Sequence, residues 1–212
     1  MVLALVSGLL GLCGGLGGSL LMDMVRRQRA KREEPILSIQ PTREALYPAE
    51  VQEKPCAYAR VHVCNDPERN AATGVGVYIE HVSGGSEDDK EKLAFLEGRW
   101  LAWANADRGD ANVPPAMKTI RKKDWIDLAH LNSGLPGKAI VDVRPQPSTE
   151  STVNRLGPGT FTFELVVDVH NASPRHFKVD LVHDGETWDG KYESAADRLQ
   201  IGAVRTNDEP GS

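Results

Sequence analysis

Apolar and polar side chains alternate along several short stretches of the chain, which is the pattern of β-strands with one buried face. The clearest stretch runs from Thr160 to His170, where every second residue is a large apolar one. Further stretches of this kind occupy 36–39, 57–64, 75–79, 100–103, 125–128, 139–143, 177–182 and 199–201. The pattern predicts roughly seven to nine short strands, with one helical turn at Lys90–Leu96.

Turn-forming residues separate these stretches, and helical periodicity is almost absent. Short strands spaced by turns are typical of an antiparallel β-sandwich. A doubly wound α/β fold would need crossover helices between parallel strands. The sequence therefore predicts a mainly β fold, an antiparallel immunoglobulin-like sandwich over residues 56–204, with a polar tail at 205–212.

The first 22 residues, Met1 to Met22, contain no charged side chain. About 20 apolar residues span a bilayer as a helix, so this segment predicts a transmembrane helix over 1–25. A cleaved secretory signal would begin with basic residues, and a lipoprotein signal would place Cys13 after a small residue rather than after Leu12. A glycine-rich disordered segment and a wrongly assigned start codon stay open as alternatives.

Five basic residues follow the apolar segment: Arg26, Arg27, Arg29, Lys31 and Arg32. Basic residues beside a span stay on the cytoplasmic side. We therefore expect a single-pass protein of the inner (plasma) membrane with its carboxyl-terminal domain in the cytoplasm, joined through a basic juxtamembrane segment and linker at 26–55. The same cluster could contact anionic lipid headgroups.

Four glycines, Gly11, Gly14, Gly15 and Gly18, form two pairs with a spacing of four. Gly11 with Gly15, and Gly14 with Gly18, would let two membrane helices pack closely. This spacing predicts a weak homodimer through the transmembrane helix.

Charge is distributed unevenly between the leader and the remainder of the chain. Residues 1–32 carry five basic side chains and one acidic one, whereas residues 33–212 carry 20 basic and 29 acidic ones. An acidic body repels a phosphate backbone, so we expect no nucleic-acid partner. The composition, rich in Ala, Gly, Val and Arg, is typical of a bacterial protein.

Two segments have a recognisable arrangement of strands and turns. The first comprises 59–65 followed by 71–79, an alternating strand, an Asn, a small turn and a valine-rich strand; the second is 156–163, a strand after a glycine-containing turn. Together they resemble bacterial immunoglobulin-like sandwich domains of the CARDB type. The resemblance implies a binding or structural module without catalytic residues. Many CARDB domains are extracellular, whereas the basic flank here predicts a cytoplasmic body.

Candidate chemistry is sparse. Cys56 and Cys64 lie too far apart along one strand for a disulfide, and His62 shares a face with Cys64 but lacks further ligands at metal-binding spacing. Glu164 and Asp168 lie about 13 Å apart on one strand face, which favours a solvated surface. Of the four tryptophans, we expect at least two in the core. We therefore predict no catalytic, metal or cofactor site.

The favoured function is a non-catalytic, membrane-anchored interaction or assembly module with an unidentified protein partner. Two alternatives remain. One is a hydrolase-like enzyme that uses loop carboxylates, at 105–115 and 145–158; the other is a membrane-surface protein that recognises lipid charge.

Overall fold

The computed structural model describes residues 22–30, 33–41, 46–51, 54–104, 117–144 and 152–206, to which all structural statements refer. Strands dominate these residues, and all paired strands are antiparallel. They are β1 (Leu37–Pro41), β2 (Tyr47–Val51), β3 (Lys54–Asn65), β4 (Ala72–Gly84), β5 (Trp100–Trp103), β6 (Lys118–Ile120), β7 (Lys123–Asn132), β8 (Ala139–Val141), β9 (Val143–Arg144), β10 (Arg155–Leu156), β11 (Gly159–Asp168), β12 (Arg175–His183) and β13 (Leu199–Thr206).

Helices are few and short within the described chain. Residues 22–30 are helical and are called α1. A 3₁₀ turn at Glu87–Asp89 leads into α2 (Lys90–Leu96), and α3 (Tyr192–Arg198) precedes the last strand. No helix among these residues has both the length and the apolar composition that crossing a bilayer requires.

The strands form one hydrogen-bonded path in the order β1-β3-β7-β5-β4-β11-β12-β13. Strand β5 joins the two halves of this path, since Ala102 and Trp103 pair with β7 whereas Trp100 pairs with Tyr78 of β4. The end strands β1 and β13 contact each other. The sheet therefore curls around a single core.

The core forms because alternate residues of each strand point inward. On β11, Phe161, Phe163 and Leu165 are fully buried, as is Phe177 on β12. Burying a side chain of this size contributes about 1.5–3 kcal/mol. The inward faces of β3, β4 and β7 complete the same core, so one continuous apolar cluster holds both halves of the sheet.

The predicted mainly β, antiparallel fold is confirmed, and α2 and β5 have the bounds that the pattern predicts. Cys56 and Cys64 are free thiols, also as predicted. Within the segment at 26–55, the strand predicted at 36–39 is present as β1, and β2 is a strand that the pattern did not predict; both are hydrogen-bonded to β3. Strand β13 continues to Thr206, into the predicted tail. The leader at 1–21 lies outside the described residues.

Candidate functional site

Helix α1 carries the first candidate site. All of its residues, 22–30, are exposed, and the exposed fractions of Met22, Met24 and Val25 are 56%, 55% and 50%. Large apolar side chains gain free energy when they leave water. Three of them, exposed together on α1, mark this helix as a candidate contact with an apolar environment.

Three of the predicted topology residues, Arg26, Arg27 and Arg29, lie on α1 and are exposed. The Nε atom of Arg29 donates to Oε1 of Glu33 at 3.1 Å, one helical turn further on. The remaining predicted residues lie outside the described chain; they are Lys31 and Arg32 of the basic cluster and Gly11, Gly14, Gly15 and Gly18 of the predicted helix-packing face.

Backbone contacts fix the segment that follows α1 to the sheet. The carbonyl of Glu33 accepts a hydrogen bond from the Asn70 N–H at 3.1 Å, and the carbonyl of Ile36 accepts one from the Asp66 N–H at 3.0 Å. The Ser173 N–H donates to a carboxylate oxygen of Glu34 at 3.1 Å. The helix therefore joins the body at one defined end, beside the β3–β4 and β11–β12 turns.

The second candidate site is a polar cluster on the outward face of β3 and β7. Cross-strand pairing sets Tyr58 beside His130 and Arg60 beside Asp127. A β-bulge between these two pairs adds one residue to β7, so that Leu128 and Ala129 both reach the core. Because of the bulge, Asp127 and His130 share the outward face although they are three residues apart.

Arg60 balances the charge of Asp127, whose side chain is completely buried. The Nε atom of Arg60 donates to Oδ1 of Asp127 at 2.5 Å. The guanidinium carbon also lies 4.6 Å from the ring centre of Tyr47 and 5.4 Å from that of Tyr58. Two aromatic faces and a carboxylate thus hold the cation in place, as a buried charge requires.

His130 is held by a second buried carboxylate, that of Asp142. The Nδ1 atom of His130 donates to Oδ2 of Asp142 at 2.9 Å, and the His130 ring lies 4.7 Å from the Tyr58 ring. With its proton on Nδ1, a neutral imidazole presents the lone pair of Nε2. Among the described residues nothing donates a hydrogen bond to this nitrogen. An imidazole held in this way can accept a proton or bind a hydrogen-bond donor.

The remaining sequence candidates lie apart from one another. Trp103 and Trp188 are buried, which confirms the expectation of at least two core tryptophans, whereas Trp100 packs against Tyr78 outside the core. Glu164 pairs with Lys178 at 2.7 Å on the partly exposed strand face, as expected of a solvated surface. Within the described ranges, no three His, Cys, Asp or Glu side chains gather as a metal site.

The sequence did not single out His130, and it gave Asp127 and Asp142 only as two carboxylates among many. A regular alternation places Asp127 and His130 on opposite faces of the strand. They share a face because of the β-bulge in β7, which the alternation pattern does not reveal.

Comparison of the chain with protein families, with curated proteins and with solved structures gives no match. Its role therefore has to be argued from its own residues.

Proposed function

We propose that the chain is a single-pass inner-membrane protein in which an N-terminal helix anchors a non-catalytic β domain, and that this domain serves as an interaction or assembly module in the cytoplasm. The observation that carries the proposal is the complete exposure of α1, including Met22, Met24 and Val25. Met22 is the last residue of an uncharged segment that begins at Met1, and Met24 and Val25 follow directly after Asp23.

The anchoring step follows from the cost of leaving this helix in water. The large apolar side chains of α1 gain no burial energy from the described body, whereas an apolar helix that continues α1 into lipid would satisfy all its backbone groups internally. The uncharged residues 1–22 supply about the length that a bilayer core requires.

The orientation follows from the basic residues of α1. Arg26, Arg27 and Arg29 are exposed and lie on the body side of the apolar segment, where Asp23 is the only acidic side chain before Glu33. Basic residues in this position favour a cytoplasmic body. Close pairing of two anchors through Gly11 and Gly15, or Gly14 and Gly18, is part of the same proposal.

The module itself is proposed to be an immunoglobulin-like sandwich. The two halves of the sheet, joined at β5, would form its two layers, and the CARDB-type resemblance of the β3–β4 hairpin supports this arrangement. Such domains bind other proteins, and the partner here is proposed to be a protein.

Cell fractionation with topology reporters tests the anchoring. The full chain should stay in the membrane pellet after alkaline carbonate and high salt, and should leave it only in detergent. A Leu9→Arg, Leu10→Arg variant should move to the soluble fraction, whereas Leu9→Ile, Leu10→Ile should not. A reporter that is active only outside the cytoplasm should be silent at the carboxyl end. Recovery of the unmodified chain from the aqueous fraction would refute the anchor, and an active reporter would refute the orientation.

A second candidate function, a hydrolase-like enzyme, is favoured by the His130–Asp142 pair rather than by the loop carboxylates. A buried carboxylate that orients an imidazole is the arrangement of many general bases. The purified chain would then hydrolyse activated carboxyl or phosphate esters. The variant His130→Gln should abolish this hydrolysis. The control His176→Gln should not, because His176 contacts Glu80 at an exposed position on the other half of the sheet. An equal rate in both variants would eliminate this candidate.

A further inference from the structure

Three consecutive cations occupy the connection between β6 and β7 at the α1 end of the body. Arg121, Lys122 and Lys123, called here the basic turn, are all exposed. Within the described chain none of them forms an ion pair, although the neighbouring Lys118 pairs with Asp124 at 2.6 Å. The side chains of the basic turn are therefore free to meet a ligand from solvent.

Hydrogen bonds tie the basic turn to the point where α1 joins the body. The N–H of Asn65 donates to the Lys122 carbonyl at 2.8 Å, and its side-chain amide donates to the Asn70 carbonyl at 2.8 Å. Asn70 in turn donates its N–H to the carbonyl of Glu33. Only 3% of the Asn65 surface is exposed, so these hydrogen bonds lie inside the fold. The basic turn consequently keeps a fixed position relative to the end of α1.

The opposite end of the body is acidic. The connections at 84–97 and 184–198, at the far ends of β4 and β12, each carry five acidic and two basic side chains. At the α1 end, Glu33 pairs with Arg29, Glu34 accepts from the Ser173 N–H and Asp66 pairs with Arg69 at 3.8 Å, while Glu68 is exposed. The two acidic connections therefore lie at one end of the strands, and the three cations of the basic turn lie at the other.

We propose that the basic turn rests on anionic phospholipid headgroups next to α1, so that the body docks on the membrane by this end. The inference depends on the proposed membrane anchor and adds to it an orientation of the whole domain. Positive side chains close to an anionic leaflet are attracted to it over about a Debye length. The acidic far end is repelled by the same surface, so both charges favour one orientation.

Energy transfer in lipid nanodiscs measures this orientation with the full chain. The native cysteines are replaced (Cys13→Ser, Cys56→Ala, Cys64→Ser), and a donor dye is attached either to Glu68→Cys at the α1 end or to Glu186→Cys at the far end. The acceptor dye is on the lipid headgroups. Discs contain phosphatidylcholine alone or phosphatidylcholine with phosphatidylglycerol.

The excess of transfer from position 68 over transfer from position 186 should be severalfold larger in discs with phosphatidylglycerol than the excess that the anchor alone gives in phosphatidylcholine discs, and high salt should remove most of this increase. The variant Arg121→Gln, Lys122→Gln, Lys123→Gln should lose at least half of it while still inserting into the discs. The matched control, Lys54→Gln, Lys90→Gln, Lys191→Gln, removes the same number of charges from exposed sites away from the basic turn and should keep the excess.

Equal transfer in the two lipid mixtures, or equal losses in the two triple variants, would overturn the docking and leave the anchor intact. A chain that stays outside the discs would refute the anchor. Such a chain could still bind from solution to discs with phosphatidylglycerol. If the basic-turn variant loses this binding and the control variant keeps it, the lipid contact is supported. A chain that neither inserts nor binds would overturn both.

Discussion

The carboxylate of Asp89 should contribute strongly to stability at neutral pH, and the change Asp89→Asn tests this. Asp89 is almost fully buried at the start of α2. Its side chain accepts hydrogen bonds from Lys92 Nζ at 2.7 Å, from Ser86 Oγ at 2.9 Å and from the Ser86 N–H at 3.1 Å. These three donors hold the β4–α2 connection in place.

Burial by itself would raise the pKa of Asp89, but the hydrogen bonds from Lys92 and Ser86 outweigh it and lower the pKa from 3.8 to about 2. This difference corresponds to about 2.4 kcal/mol in favour of the native state when the carboxylate is ionised. Since the native pKa is the lower one, the contribution is complete above about pH 4. It is lost as the pH falls from there to about 2.

Urea unfolding of the full chain in mild detergent, followed by tryptophan fluorescence, measures this contribution because all four tryptophans lie in the β domain. The free energy of unfolding of Asp89→Asn should fall below that of the unmodified chain by about 2 kcal/mol at pH 7. The gap should narrow progressively between pH 4 and pH 2. Asp88→Asn, an exposed neighbour in the same 3₁₀ turn, should change little. A gap that is independent of pH, or equal in both variants, would refute the reasoning.

Two further changes test packing with the same unfolding measurement. Arg60→Met should destabilise the domain by a few kcal/mol because it removes the cation that donates to the buried carboxylate of Asp127, and adding Asp127→Leu should restore part of the loss; no recovery in the double variant would contradict this. Gly84→Ala should cost more than Gly98→Ala: both positions have positive φ, but a new Cβ at Gly84 would lie 2.1 Å from the Thr160 carbonyl oxygen, whereas at Gly98 it meets open space. Equal losses of stability in the two variants would show that the positive φ alone, and not the contact with Thr160, sets the cost.

The strands with regular alternation could be predicted because their burial follows from local sequence. On β11 and β12, apolar residues at every second position face the core over the full length of each strand. The sequence pattern does not predict strand β2, because a proline such as Pro48 is expected to interrupt a strand. It is tolerated there since, among the strands that the structure describes, β2 pairs with β3 alone, and its second edge needs no ladder hydrogen bonds.

The polar cluster could not be predicted for a different reason. Its burial depends on the bulge in β7 and on which parts of the chain pack over the outward face of β3, and both are tertiary properties. Period-two reasoning places alternate residues of β3 on one face, but it does not show that other parts of the chain cover this face. In contrast, the basic residues of α1 could be picked out from the sequence, because basic residues directly beside an apolar segment suggest a topology signal.

The arrangement of the strand edges restricts how a partner could bind the proposed module. Partners often add a strand to an open sheet edge, but here the end strands β1 and β13 contact each other. The remaining edge of β2 is partly occupied by α3, since the Tyr192 hydroxyl donates to the Ala49 carbonyl at 3.0 Å. If the basic turn holds the α1 end on the membrane, the acidic connections at 84–97 and 184–198 face the cytoplasm. A protein partner that binds there should therefore present a basic surface, and its affinity should fall as salt is raised.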